Sequence, residues 1–240
     1  MLWQEMKGLQ KIPLGFKLGL TAFLVVAGIG YLLGFANIYL TYSPVDQKPG
    51  LSVADIRIAF YGQEGATKLE KAILGSMKQY LASEADGKKI REWIRAGAKE
   101  SGFAEVKAAF ASCEACHSRE AKMADVVTTD YSGVSALVVR DSGKSIPRLV
   151  SLSHTHVLAT LPVIFLLCLV FSFSRFPNAF KGAVILFSFA SIVADIGSWW
   201  LAKASGALAI LVLLGGICLA ISFLALILLS LYDIWLKKAD

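Results

Sequence analysis

Histidine is nearly absent from this chain: His117, His154 and His156 are the three found in 240 residues. Cysteine is limited to four. Two of these, Cys113 and Cys116, stand in a polar stretch that has His117 and no other Cys or His. A four-ligand zinc site lacks its second pair of ligands there. A strand–helix–strand pattern around the Cys-x-x-Cys is also missing, which removes the thioredoxin-like dithiol. Repeats and low-complexity tracts are absent. So is any basic stripe with interleaved aromatics, and nucleic acid is therefore not an expected partner. No substrate-sized catalytic constellation is visible, so a stand-alone enzyme is not expected. Charge is sparse at 18%, whereas hydrophobic residues make up 56% and the mean hydropathy is +0.61. That is too apolar for an ordinary soluble domain.

A bilayer core roughly 30 Å thick is crossed by about 20 apolar residues in a helix. Four stretches meet or approach that length: Leu18–Leu40, His154–Ser174, Gly182–Trp200 and Gly206–Trp235. The third is the shortest and carries Asp195. The first follows a basic flank like that of a secretory signal, but its apolar run exceeds the roughly 7–15 residues of such signals and no A-x-A-like cleavage site follows. It reads as an uncleaved anchor. Lys7, Lys11 and Lys17 precede it, Arg175 and Lys181 lie between the second and third stretches, and Lys237 and Lys238 follow the fourth. The opposite short loop has only Lys203. Positive-inside bias places both termini in the cytoplasm. The polar segment then faces the periplasm of a bacterial inner membrane. Trp199, Trp200 and Trp235 suit the interfacial aromatic belts.

The polar segment contains 16 Lys+Arg and 14 Asp+Glu between Thr41 and Leu149, so most of the net +6 lies on the membrane flanks. The expected organisation is all-α. It comprises a cytoplasmic N-terminus (1–17), an anchor helix (18–40), a small helical periplasmic domain (41–149) inserted between helices one and two, and a membrane domain (150–240) holding helices two to four and the cytoplasmic C-terminus. Four amphipathic helical patterns are expected in the polar part. In the second, capped by Thr67, Leu69, Ile73, Met77 and Tyr80 share a face. The fourth is expected from about Ser101 to Met123. There Phe103, Val106, Phe110, Cys113 and His117 recur at helical spacing, so the cysteines and histidine should point at the domain core.

The spacing Cys113-x-x-Cys116-His117 has a chemical rationale. Two thiols on one helical turn can each add to a vinyl group of the same porphyrin, and the adjacent imidazole can bind its iron. One covalent haem c is expected, with Cys113 and Cys116 as attachment residues and His117 as proximal ligand. Haem attachment outside the cytoplasmic membrane agrees with the side assigned by charge.

The run "VKAAFASCEACHSRE" resembles class II cytochromes c, the cytochrome c′ group, in which the attachment site lies near the end of the last helix. The likeness is close over about 20 residues. The polar segment is shorter than a class II four-helix domain, and that family is not usually tied to four membrane helices. The resemblance implies the same roles for Cys113, Cys116 and His117, and it transfers no sixth ligand.

For the distal side of the iron the candidates are His154 or His156, and less favourably Met77; an empty position is the class II default for many members. His154 and His156, two residues apart on a helix, project about 200° apart and cannot clamp one haem between them, so haem b is not expected. Asp195 is the one acid well inside a span, where such residues usually face a bundle interior or a cavity. It is a candidate proton or quinone site, paired with a histidine at the same depth. Cys168 and Cys218 read as packing residues. The expected function is a membrane-bound monohaem c-type cytochrome. It would carry electrons from a membrane donor, quinol or a membrane complex, to a periplasmic acceptor. Other expected partners are the lipid bilayer and further electron-transfer subunits. A haem-based gas-binding sensor and the electron-transfer subunit of a larger oxidoreductase are the alternatives.

Overall fold

The computed structural model describes residues 8–43, 45–46, 48–63, 65–118 and 128–237. Among them the chain is helical, without a strand; a single isolated antiparallel bridge joins Thr67 and Arg140. The first helix, α1, runs Leu14–Tyr42 and is followed by α2 (Val53–Phe60), α3 (Lys68–Leu74), α4 (Glu84–Arg95), α5 (Phe103–Val106), α6 (Glu114–His117) and α7 (Tyr131–Ser135). Three long helices complete the chain: α8 (Ile146–Ser172), α9 (Asn178–Ala204) and α10 (Ile210–Trp235). Helices α1, α8 and α9, and α10 with the turn Gly206–Ala209 before it, are each long and apolar enough to cross a membrane. The protein is a multi-pass membrane protein, and its spans contact the lipid bilayer.

All four expected spans are helices, each at least as long as its hydrophobic run. The third expands to 27 residues, about 40 Å at 1.5 Å per residue, despite carrying Asp195. The second also starts earlier than His154. Ser145 caps it by accepting from the Arg148 N–H, and Pro147 stands in the first turn, where its missing N–H costs nothing.

The chain divides into two compact units, one of Met1–Tyr61 with Lys144–Asp240 and one of Gly62–Gly143. In the membrane unit, apolar packing alone cannot drive association, because lipid tails are as apolar as leucine; small residues and polar links decide which helices meet. Helices α9 and α10 approach most closely at Gly215, where an added Cβ would stand 2.7 Å from the Asp195 Cα. Ser222 donates to Ser191 across the same interface. Ile164, Leu167, Phe171, Leu226 and Ile234 fill the core. Helix α1 joins through Leu24, through Tyr31 stacked 4.5 Å from Phe223, and through a bond from the Trp235 indole to Thr21. Short helix α2 belongs to this unit rather than to the polar one: Ile56 and Phe60 pack with Leu149, Ala202 and Ala209. Lys144 lies over the Phe60 and Tyr42 rings, 4.0 and 4.5 Å from their centroids.

The polar unit is therefore shorter than the expected 41–149. Its core gathers Leu69, Ile73, Ile90, Trp93, Phe103, Val106, Phe110 and Val134. The two ends of the unit are fastened together by Asp141, which is buried. Its carboxylate pairs with Lys71 at 3.0 Å and accepts from the Gln63 and Gly143 N–H groups. Gly62, at φ +106°, packs directly on the Asp141 carbonyl, where no side chain fits.

Candidate functional site

The Cys113-x-x-Cys116-His117 motif lies at the end of an irregular helical segment. A continuous helix from Ser101 to Met123 was expected; Met123 lies outside the described residues. The segment instead runs through a 3-10 turn (Glu100–Gly102), α5, a longer 3-10 stretch (Lys107–Cys113) and α6. Three residues per turn instead of 3.6 breaks the register on which the expected apolar face depended. Phe103, Val106 and Phe110 are buried as expected, but Cys113 and His117 are half-buried and Cys116 is exposed. The motif thus borders the core rather than pointing into it. The His117 carbonyl accepts from the Thr129 N–H at 3.1 Å, which ties α6 to the chain entering α7.

The core of the polar unit, which takes in Phe110 three residues before Cys113, contains an aromatic group. Phe103 is 6.2 Å from Phe110, 5.7 Å from Trp93 and 5.6 Å from Tyr131. The Trp93 indole donates to the Lys99 carbonyl and the Tyr131 hydroxyl to that of Ala98, so the rings are fixed. Both thiols are free. Burial holds the Cys113 thiol above its ordinary range, and the neighbouring Cys116 sulfur adds to this, while a bond to Ser112 opposes it. Two thiols within electrostatic reach of each other and an adjacent imidazole form a donor set that fits haem c. Cys113 and Cys116 would hold the porphyrin edge, and His117 would offer its imidazole to the iron. Among the described residues, no group of three or more His, Cys, Asp or Glu side chains is assembled to hold a bare metal ion.

Met77 does not share a helical face with Leu69 and Ile73. Helix α3 ends at Leu74, Gly75 closes it, and Met77 follows in a turn with 36% of its surface exposed. The glycine, which has no Cβ to clash with the Lys71 carbonyl 2.9 Å from the Cβ position, is the stop signal. Tyr80 is likewise exposed.

In the membrane unit His154 is exposed, whereas His156 turns to Asp195. His156 Nε2 is 3.8 Å from Asp195 Oδ2, and its ring centroid is 5.0 Å from that of Trp199. The structure thus brings together the acid and one of the histidines singled out from sequence. Cys168 is buried beside Ile164 and Leu167 as a packing residue, and the Cys218 carbonyl accepts from Ser222.

Sequence reading overlooked Asp233. It is fully buried near the end of α10, where its carboxylate accepts from the Leu9 N–H at 2.9 Å and from the Arg175 N–H at 3.1 Å. It also pairs with Arg175 Nε at 3.3 Å. Arg175 reaches on to the Lys237 carbonyl, and the Lys237 ammonium returns to the Arg175 carbonyl. The available signal was an acid in the last turn of an otherwise apolar span, two residues before its end.

Residues 126–240, a little under half of the chain, match a family model described as a transmembrane helical domain. The match begins after the Cys113–His117 motif. No curated protein and no solved structure matches the chain.

Proposed function

We propose that the protein is a membrane-bound monohaem c-type cytochrome that passes electrons between a membrane donor and a water-side acceptor. The observation that carries this reading is the turn Cys113–His117, with two free thiols and an imidazole on the rim of a fixed aromatic core. The thiols would tether the macrocycle, and the α6 turn would hold His117 toward it. Bound there, haem c supplies reversible one-electron chemistry at iron. The aromatic core would shelter one edge from water, while the exposed side of Cys116 leaves another edge open to a redox partner.

The orientation belongs to the same proposal: termini in the cytoplasm, the polar unit in the periplasm of a bacterial inner membrane. It is supported by the collection of basic groups at one end of the membrane unit. There Lys181 donates to the Ser172 and Ser174 carbonyls, and Arg175 and Lys237 bond each other's backbone.

The test is expression of the full chain in cells competent in haem attachment, followed by denaturation, acid–acetone extraction and haem staining. The wild type should retain stain with a pyridine haemochrome absorption of the two-thioether type. Cys113→Ala with Cys116→Ala should retain none. A stain-free wild-type band would refute the proposal.

A further inference from the structure

The membrane unit holds a second polar cluster, contributed by all four long helices. His156 comes from α8, Asp195 and Trp199 from α9, Tyr31 from α1 and the Gly216 carbonyl from α10. The Tyr31 hydroxyl donates to that carbonyl at 3.4 Å, and the Gly216 Cβ position is 4.0 Å from Asp195 Oδ1. Trp199 follows Asp195 by about one turn on α9. His156 and Asp195, at 3.8 Å, are close enough for an ion pair yet too far for a hydrogen bond.

Asp195 is 8% exposed, whereas His156 is 43% exposed. His156 packs on Trp199, a residue suited to the interfacial belt, so that exposure lies toward the membrane boundary. A half-exposed imidazole beside a buried carboxylate, with no hydrogen bond of its own among the described residues, is a ready acceptor for a ligand O–H. The sequence neighbours of the cluster, Val157, Ile196 and Trp200, line an apolar groove of about 410 Å³ between α8 and α9, together with Leu161.

We propose that Tyr31, His156, Asp195 and Trp199 bind the headgroup of a lipid-soluble quinol, its tail lying along the Val157–Trp200 groove. The choice of a quinol over other phenolic lipids rests on the electron-transfer reading above. The chemistry narrows the occupant in three ways. It carries an apolar tail, because the groove beside the cluster is lined by apolar side chains such as Val157, Leu161 and Ile196. It is not an anionic headgroup, because Asp195 repels one. It has O–H groups to donate among the imidazole, the carboxylate and the Tyr31 oxygen, and a flat ring to stack against Trp199. A dihydroxy aromatic ring meets all three requirements.

The test uses the full chain in phosphatidylcholine nanodiscs with a decyl-tailed benzoquinol. Bound quinol is counted by extraction against empty discs. Saturation at one quinol per chain is expected. His156→Ala and Asp195→Asn should each weaken binding on the order of tenfold, as expected for losing a hydrogen bond to a buried, charge-assisted site. Tyr31→Phe should weaken it roughly fivefold. Where an alanine variant does not remain monodisperse, His156→Gln serves in its place. No binding above empty discs, or variants that bind like the wild type, overturns the inference. Binding needs no haem, so the haem stain is an independent arm. A stain-negative chain that still binds quinol through these residues overturns the cytochrome reading alone. A stain-positive chain with no such binding overturns this inference alone.

Discussion

Removing the Asp233 carboxylate should be among the most destabilising single changes in the membrane unit. The side chain is fully buried and accepts from three donors, the backbone N–H groups of Leu9 and Arg175 and the Arg175 guanidinium. Asp233→Ala removes the buried carboxylate that pairs with Arg175, whose side chain is 17% exposed. Breaking a buried pair by removing one partner costs roughly 3–5 kcal/mol. The two orphaned N–H groups would add about 1–3 kcal/mol each if they stayed dry, but neighbours in one network are not additive. The expected loss is therefore about 3–5 kcal/mol for Asp233→Ala. It should be smaller for Asp233→Asn, whose amide oxygen can still accept. Arg175→Ala should fall between, because the carboxylate keeps both backbone donors. Equilibrium unfolding in mixed micelles, titrated with a denaturing detergent, gives the three values. A loss below about 1 kcal/mol for Asp233→Ala would show that water or lipid headgroups reach this site and that the buried-network argument is wrong.

Four further outcomes are expected. In chain made without haem attachment, a thiol-alkylating reagent at neutral pH should label exposed Cys116 before Cys113, whose raised thiol pKa leaves less thiolate; peptide mass spectrometry orders the two. Gly215→Ala should loosen the α9–α10 contact by roughly 1–3 kcal/mol, because its Cβ would stand 2.7 Å from the Asp195 Cα. Gly216→Ala, with its nearest neighbour at 4.0 Å, should cost clearly less in the same unfolding assay. His156→Ala should leave the absorption spectrum of the proposed haem unchanged, since that imidazole faces Asp195 and Trp199 within the membrane unit; a shift in the oxidised spectrum would make it an iron ligand instead. Asp46 has a carboxyl held below its ordinary 3.8, first by the Lys48 N–H. A lowered folded value means that its contribution is present above 3.8 and fades as pH falls through the folded value. Amide exchange in the Asp46–Ser52 turn should therefore rise in that acid window, and Asp46→Asn should flatten the response.

The four spans were legible because hydropathy over some 20 residues is a sum that no single side chain can overturn; even Asp195 did not interrupt α9. The Cys113–His117 spacing was legible for a different reason: it is local to one helical turn, and α6 (Glu114–His117) forms there. Local capping was also readable, as at Thr67, where the Glu70 carboxylate and the Thr67 hydroxyl bond each other's backbone. The orientation of Cys113 and His117 was not readable. It depended on an unbroken 3.6-residue period, and the 3-10 stretch Lys107–Cys113 reset the phase before the motif was reached. The reach of the second polar helix failed similarly, because Gly75 ended it before Met77.

What the amino-acid order determined by itself was the inventory: which segments enter a bilayer, and which turn carries thiols beside an imidazole. What only the tertiary structure decided was which distant groups meet. His156 and Asp195 lie 39 positions apart, and Leu9 and Asp233 lie 224 apart. Their pairing follows from helix rotation and from close approach at Gly215, quantities that depend on packing against other helices and leave no periodic trace along the chain.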